Sequence, residues 1–546
     1  MRIKLQLFLF LFIFFTNKVN SQFVYENVNN EIYEYLARMS QKGFVEFDDL
    51  IKPIPRETIF NKLQELTLKS SKLTRIENDE LAFYLKEYSK SNIKNDKPLS
   101  YLRFKTKQPV EFLSAQNDNV YISASPVIQF TQNNYKGKFF TEKAVGAQLW
   151  GRIGKHIGFN IFARDVTEDQ FNNLSDSVIN FAQTGYILLH EKSPQQKQIN
   201  YSEYKASIGY QWKNGFVSIG QDNLIWGYGV NGKIVLSEKS PFNQYIRLHY
   251  QPFPWLKFDY MHTTLNSNFV DSANSYSYGN DVYGGARLNY VPKFMANHSI
   301  TITPKKGIDF SIGESVIYTE KLDPGFLFPL MYYKLYDNNK SNYQIMNGNN
   351  GQLYFQLSLK NIIPKAHFYS TLFIDEIKVL KIFDPNKSRN QLGFNIGLNL
   401  NDILINYLSI YSEYTRVNPF VYNNINPAQN YNSYGFNLGD WVGNNFDRKI
   451  IGFKYTPISR LKLDFRFQDI RKGPSYSIND QYLQQPQKRF LENVIFTQKG
   501  YFFKASYELM NNIYILGNCN STSTRNEYYN TISKYNNYSL GLKIGL

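Results

Sequence analysis

The chain has 546 residues, a formal net charge of +16, one cysteine, 43 tyrosines and 43 phenylalanines. A single cysteine excludes an intramolecular disulfide and a cysteine-pair metal site. Aromatics make up 17% of residues, yet the mean hydropathy is −0.43, which suits strands with one apolar and one polar face better than buried helices.

Arg2 and Lys4 precede residues 5–15, which are apolar apart from Gln6, and Val19 and Ser21 stand at −3 and −1 cleavage positions before Gln22. Residues 1–21 therefore read as a secretory signal peptide. The apolar run is too short for a transmembrane helix, which needs roughly 20 residues. An exported protein rarely meets nucleic acid. Its basicity then points to acidic glycans or lipid phosphates, or to a Lys- and Asn-rich composition with no specific partner.

Residues 22–97 read as a small helical bundle. Ile32, Tyr35, Leu36 and Met39 recur at i, i+3, i+4 and i+7. Pro55 precedes the repeat Ile59, Leu63, Leu66. Thr74 and Glu77 form a capping box ahead of Leu81, Leu85 and Tyr88.

From residue 98 helical spacing gives way to alternation. Val145, Ala147, Leu149 and Ile153 run up to Gly154-Lys155, and Ile157, Phe159 and Ile161 follow it. Tyr204, Ala206, Ile208, Tyr210 and Trp212 run up to Asn214-Gly215, a strong hairpin signal, with Val217 and Ile219 beyond. Such turns alternate with long polar connections at 168–176, 338–351, 423–432 and 469–488. Short turns at one end and long loops at the other mark a membrane barrel. At roughly 25 residues per strand and loop share, residues 98–546 make an all-β transmembrane, antiparallel barrel of about 18 strands, an even count. Residues 297–329 read as less regular, with a long loop. At the chain's end Tyr538, Leu540, Leu542, Ile544 and Leu546 are expected to face lipid. Ser539, Gly541 and Lys543 are expected to face the lumen of a strand that closes on the first.

The six histidines, at 156, 190, 249, 262, 298 and 367, show no two-histidine metal spacing, and there is no GxSxG elbow. The acidic stretch 165–176 offers oxygen ligands for Ca²⁺, or is a solvated loop. The Gly-rich stretch 227–233 lies between strands and reads as a turn. No cofactor, metal or enzymatic centre is expected; a barrel hydrolase would need a Ser–His pair on neighbouring strands at the rim. Two stretches carry sugar-binding chemistry: Asp222, Asn223 and Trp226 in one, Glu413, Tyr414 and Arg416 in the other. An aromatic ring can stack on a pyranose while carboxylates and amides take its hydroxyls. The same residues could equally be strand-end aromatics with local turn chemistry.

Residues 33–47, 52–63 and 73–88 resemble the helical start of the capsule-assembly Wzi-like outer-membrane proteins. Residues 220–237 look like that family's strand–turn–strand segment with its Trp-Gly. Residues 324–339 and 372–377, with Asn338 after Asp337 and the acidic pair Asp375-Glu376, are similar to its central section. Residues 413–424 and 431–447 look closer to a Bacteroidetes branch that includes the gliding motility protein RemB. The resemblance implies a monomeric barrel in the cell outer membrane, with its bundle in the periplasm; the terminal apolar residue Leu546 is where the barrel-assembly machinery is expected to recognise it. It further implies attachment of surface polysaccharide, or a role in gliding and adhesion. A diffusion porin or transporter is the alternative reading of the same barrel.

Overall fold

The computed structural model describes residues 23–89, 100–101, 113–116, 119–135, 137–169, 198–277, 279, 285–343, 348–376, 390–483 and 488–545. Residues 1–21, read above as a signal peptide, the expected boundary at residue 98, His190, most of the acidic stretch 165–176 and Leu546 lie outside the described residues.

Eighteen antiparallel strands close into a barrel. They are β1 (Val120–Tyr135), β2 (Lys138–Ile153), β3 (Ile157–Asp169), β4 (Gln198–Trp212), β5 (Gly215–Asp222), β6 (Asn243–Phe253), β7 (Leu256–Val270), β8 (Tyr290–Lys305) and β9 (Ile308–Thr319). Then follow β10 (Asn350–Lys360), β11 (Ala366–Glu376), β12 (Gln391–Asn401), β13 (Leu408–Val417), β14 (Phe446–Ile458), β15 (Leu461–Lys472), β16 (Phe496–Met510), β17 (Ile513–Asn526) and β18 (Thr531–Ile544). The last strand meets the first, with Leu542 opposite Phe130 and Ile544 opposite Ile128. The short strand Leu113–Gln116 continues that edge of β1. Closure matters because an open edge would leave unpaired backbone groups.

Connections at one end are tight, as at 154–156, 213–214 and 459–460, whereas most at the other end are long. The stretch 297–329 is more regular than its sequence suggests: β8 and β9 carry the alternation without a break to Thr319, and the loop begins only there. Its polar outward residues hide the pattern. Elsewhere the outer surface carries apolar side chains such as Ile219, Ile246, Ile451 and Leu540, all exposed. On β18, Tyr538, Leu540 and Leu542 are exposed and Ile544 is half-buried, while Gly541 between them is buried.

Three helices, α1 (Ile32–Gln41), α2 (Arg56–Thr67) and α3 (Arg75–Tyr88), stand against the short-turn end. Pro55 sits at the N-cap of α2 with the extended backbone that ends the preceding segment. Thr74 and Glu77 make a reciprocal capping box at α3, which satisfies two donors the first turn would otherwise leave free. Ile32, Leu36, Met39, Ile59, Leu63, Leu66 and Leu81 bury into one core. At roughly 1.5–3 kcal/mol per large side chain this holds the bundle together. Charges tie it to the barrel. Lys42 bridges Glu77 at 2.5 Å and Asp402 at 2.6 Å. Lys257 pairs with Asp48 at 2.8 Å, and Lys360 with Asp49 at 2.5 Å. Arg38 and Lys462 both meet Glu80.

Parts of the chain also enter the lumen. Ile51 and Lys52 pair with Trp226 and Ile225 in a small sheet inside the wall. Residues 223–242 and 418–445 fold inward from the long-loop end. Leu50, Ile51, Trp226, Ile234, Leu236, Val421, Tyr422, Tyr431 and Leu438 share one buried core with the wall residues Met261, Met295, Ile317, Tyr354 and Phe373. Among the described residues no helix is long and apolar enough to cross a membrane; strands line this wall instead.

Candidate binding face at the long-loop end

The loop 418–445 is held down by a ring of wall side chains. Asp375 accepts the Tyr422 N–H at 2.7 Å. Lys293 donates to the carbonyls of Asn430 and Asn432 at 2.6 and 2.8 Å. Asn350 donates to the Gln429 carbonyl at 2.8 Å, and Lys472 to that of Asn444. These lysines take the place of water on backbone carbonyls that the wall would otherwise bury unpaired.

Deeper, a charge cluster ties this loop to residues 223–242. Arg448 grips Asp440 through two nitrogens at 3.1 and 2.7 Å and lies 3.7 Å from Glu413. Glu413 also accepts Tyr369 O–H at 2.7 Å and Val230 N–H at 2.9 Å. The Trp441 indole donates to the Asn231 carbonyl at 2.9 Å. Tyr228 then reaches down to Asp49 at 2.8 Å. The contacts therefore run without a break from the helical bundle to the long-loop face. Asp49 itself is buried, which alone would raise its carboxyl. Lys360 and Lys52 beside it hold it well below the ordinary carboxylate range.

What this column presents outward is a tight hairpin. Asn432–Ser433 pairs with Phe436–Asn437 across Tyr434-Gly435. Both turn residues have positive φ, 53° and 79°, the two-residue turn that favours Gly and strains a tyrosine. Tyr434 is 39% exposed at the tip. Phe420 and Tyr422 in the same loop also have positive φ, 71° and 73°. Such strain in bulky residues persists where surroundings enforce it, and it gathers at ligand sites. Beside the tip stand Asn266, whose carbonyl accepts Tyr434 N–H at 3.4 Å, and exposed Asn268. An aromatic ring flanked by amides can stack on a sugar ring and bond its hydroxyls.

The residues singled out in the sequence fall elsewhere. Trp226 is 1% exposed and sits in the lumen sheet against Ile51; with its ring covered by the chain itself, it has no face for a sugar. Asp222 is tied across strands to Lys205 at 3.3 Å and Asn223 to the Ser240 carbonyl at 3.0 Å. Glu413 is buried in the charge cluster. Strand alternation separates it from Tyr414 and Arg416, which lie on the other side of the wall. There Tyr414 donates to Asp447 at 3.3 Å and Arg416 stacks on Phe490 at 3.7 Å. The six residues therefore do not form one site. The signal missed was Tyr434-Gly435 between two short polar strands, a hairpin pattern weaker than Asn-Gly.

Among the described residues no cluster of three or more His, Cys, Asp or Glu is arranged to hold a metal ion. Among the described residues Ser358 Oγ lies 3.0 Å from His367 Nε2. Both are buried, and the Tyr228 ring meets His367 edge-on at 4.9 Å, so an acyl substrate has no approach.

The fold and site together define a closed antiparallel barrel with loops packed inside it and an exposed loop face. It is similar to the solved structure of Wzi, an outer membrane protein involved in group 1 capsule assembly in Escherichia coli and a carbohydrate-binding β-barrel. The TM-score is 0.58 at 12% identity, over 96% of this chain and 100% of that one. Weaker likenesses are OccK3 (OpdO) of Pseudomonas aeruginosa, TM-score 0.41 at 10% identity over 78% and 95% of the two chains, and OpdK of the same organism, 0.42 at 9% over 78% and 98%. No protein-family model and no curated protein matches the sequence.

Proposed function

We propose that this protein is a non-enzymatic, monomeric barrel of the outer membrane that holds or organises surface polysaccharide at its long-loop face. The helical bundle then stands in the periplasm and the Tyr434 hairpin outside the cell. The observation that carries the reading is the column of packed loops inside the wall, which ends in an exposed aromatic and amide tip and so presents a binding surface. The likeness to Wzi over nearly the whole chain supports it, as does the basic composition, which suits acidic glycans. The gliding and adhesion role rests on the resemblance of residues 413–424 and 431–447 alone.

Purified protein on a glycan array, with Tyr434→Ala beside it, tests the binding face. Loss of binding in the variant is expected; unchanged binding removes the hairpin from the site. Deleting the gene distinguishes the roles: stripped polysaccharide supports this reading, and arrested gliding with intact polysaccharide replaces it. The porin reading predicts steady single-channel conductance in planar bilayers, where the packed column predicts almost none.

A further inference from the structure

Polar side chains stand near mid-wall on the outer surface of three neighbouring strands. His262 on β7, His298 on β8 and Glu314 on β9 all point outward, in the same set as exposed Ile300 and Ile312. Glu314 lies five residues from the long-loop end of a 12-residue strand. A membrane needs about 9–11 residues per tilted strand, so this carboxylate stands near mid-wall. Bare in lipid it would be costly. It is not bare. Residues 320–343, which include helix α4 (Tyr333–Tyr343), fold back down the outside of the wall. Tyr333 donates its N–H to Glu314. His298 sits 3.4 Å from Glu314, bonds the Pro329 carbonyl at 2.9 Å and stacks on the Tyr333 ring at 4.4 Å. Tyr260 donates to the Phe326 carbonyl at 3.2 Å. The cover turns apolar groups away from the wall: Phe328, Leu330, Tyr332 and Leu335 are exposed. A loop in water would have no reason to hide histidines and a carboxylate while showing leucines. Beside it lies an open groove of about 820 Å³ between Leu322 and Leu327 of the cover and Ile208, Ile219 and Ile246 of the wall. Gln221, Gln244 and Thr264 stand at its long-loop end, and no Lys, Arg, Asp or Glu lines it.

We infer that residues 320–343 lie within the outer half of the bilayer and that the groove beside them holds an acyl chain of a phospholipid. The inference rests on the membrane-spanning reading above. Surrounding hydrocarbon fills an apolar groove open to lipid, and amides and a hydroxyl at its upper end suit a glycerol ester. The absence of basic residues disfavours the phosphorylated head of lipid A, which calls for Lys or Arg.

The full-length protein, reconstituted in nanodiscs with a phosphatidylethanolamine carrying a diazirine in its acyl chain, tests this. After irradiation, adducts should be enriched on peptides holding Leu322, Leu327, Ile219 and Ile246 relative to the peptide holding Leu540. The enrichment should be lost in Ile246→Trp and in Leu327→Trp, each of which fills the groove from one side. Heat-modifiable migration on gels identifies folded variants, and either suffices. Even labelling around the wall, or enrichment that survives a folded variant, overturns the groove. Displacement of the adduct by added lipid A overturns the phospholipid assignment. If the Leu540 peptide is not labelled either, the membrane-spanning reading fails with it, so the two failures are distinguishable.

Discussion

Two stretches of the same wall follow opposite rules. Toward the short-turn end of β18, outward residues on it and on its neighbours β17 and β1 are apolar and bare: Ile515, Leu540, Leu542 and Phe130 are all exposed. Along β7, β8 and β9 the outward set includes His262, His298 and Glu314, and these are covered by residues 320–343. On β7, β8 and β9 polarity on the outside is therefore not a fault in the pattern but a sign that another segment packs there. The lumen obeys the same rule: Arg448, Glu413 and Asp440 are buried only because two loops bring partners to them.

That equivalence can be broken at graded cost. Arg448→Ala leaves two carboxylates buried without their partner, worth about 3–5 kcal/mol. Loop 418–445 should detach, read as new protease cleavage within it and a lower unfolding midpoint; an unchanged cleavage pattern would deny the cluster its holding role. Leu542→Arg on the bare face puts a charge in hydrocarbon, costing about 2–4 kcal/mol near the midplane. The heat-modifiable folded band should be lost, while Lys543→Glu, on the lumen side, keeps it. If the two variants behave the other way round, the register of β18 is wrong.

Glu314→Leu tests the covered face. It removes an acceptor from the buried Tyr333 N–H, a cost of about 1–3 kcal/mol, partly offset where the leucine meets lipid. Barrel assembly should survive, with faster proteolysis inside 320–343. Equal protection in variant and parent would show that the cover is held by its aromatic contacts alone. The mildest effect is from acid. Asp49 titrates below its unfolded value, so its contribution is complete above about pH 4. It fades as pH falls through the depressed native value. Bundle docking, followed by cross-linking of the bundle to the short-turn rim, should weaken below about pH 4. In Asp49→Asn it should be weaker at neutral pH and less sensitive to acid.

Local pattern was enough for the wall. Alternation with hairpin turns predicts strands such as β2, β3, β4 and β5, and chain length divided by strand repeat predicts their number. Helix caps and i, i+4 spacing likewise announce the bundle, because Thr74, Glu77 and Pro55 act within a few residues of themselves. The binding face was not legible that way. Trp226 looks like an exposed aromatic in a Gly-bounded turn, yet the turn drops into the lumen and meets Ile51, 175 positions earlier in the numbering. Glu413 and Tyr414 are adjacent in sequence and on opposite sides of the wall, since a strand has a period of two.

What the sequence by itself determined is therefore the barrel and its helical start, where each residue's environment follows from its near neighbours. Only the tertiary structure decided which loops enter the lumen, which one folds over the outer wall, and that Tyr434 rather than Trp226 meets solvent. Those outcomes depend on pairings such as Arg448 with Asp440, Lys293 with Asn430 and Glu314 with Tyr333. Their strength comes from burial, and burial exists only once distant parts of the chain have met.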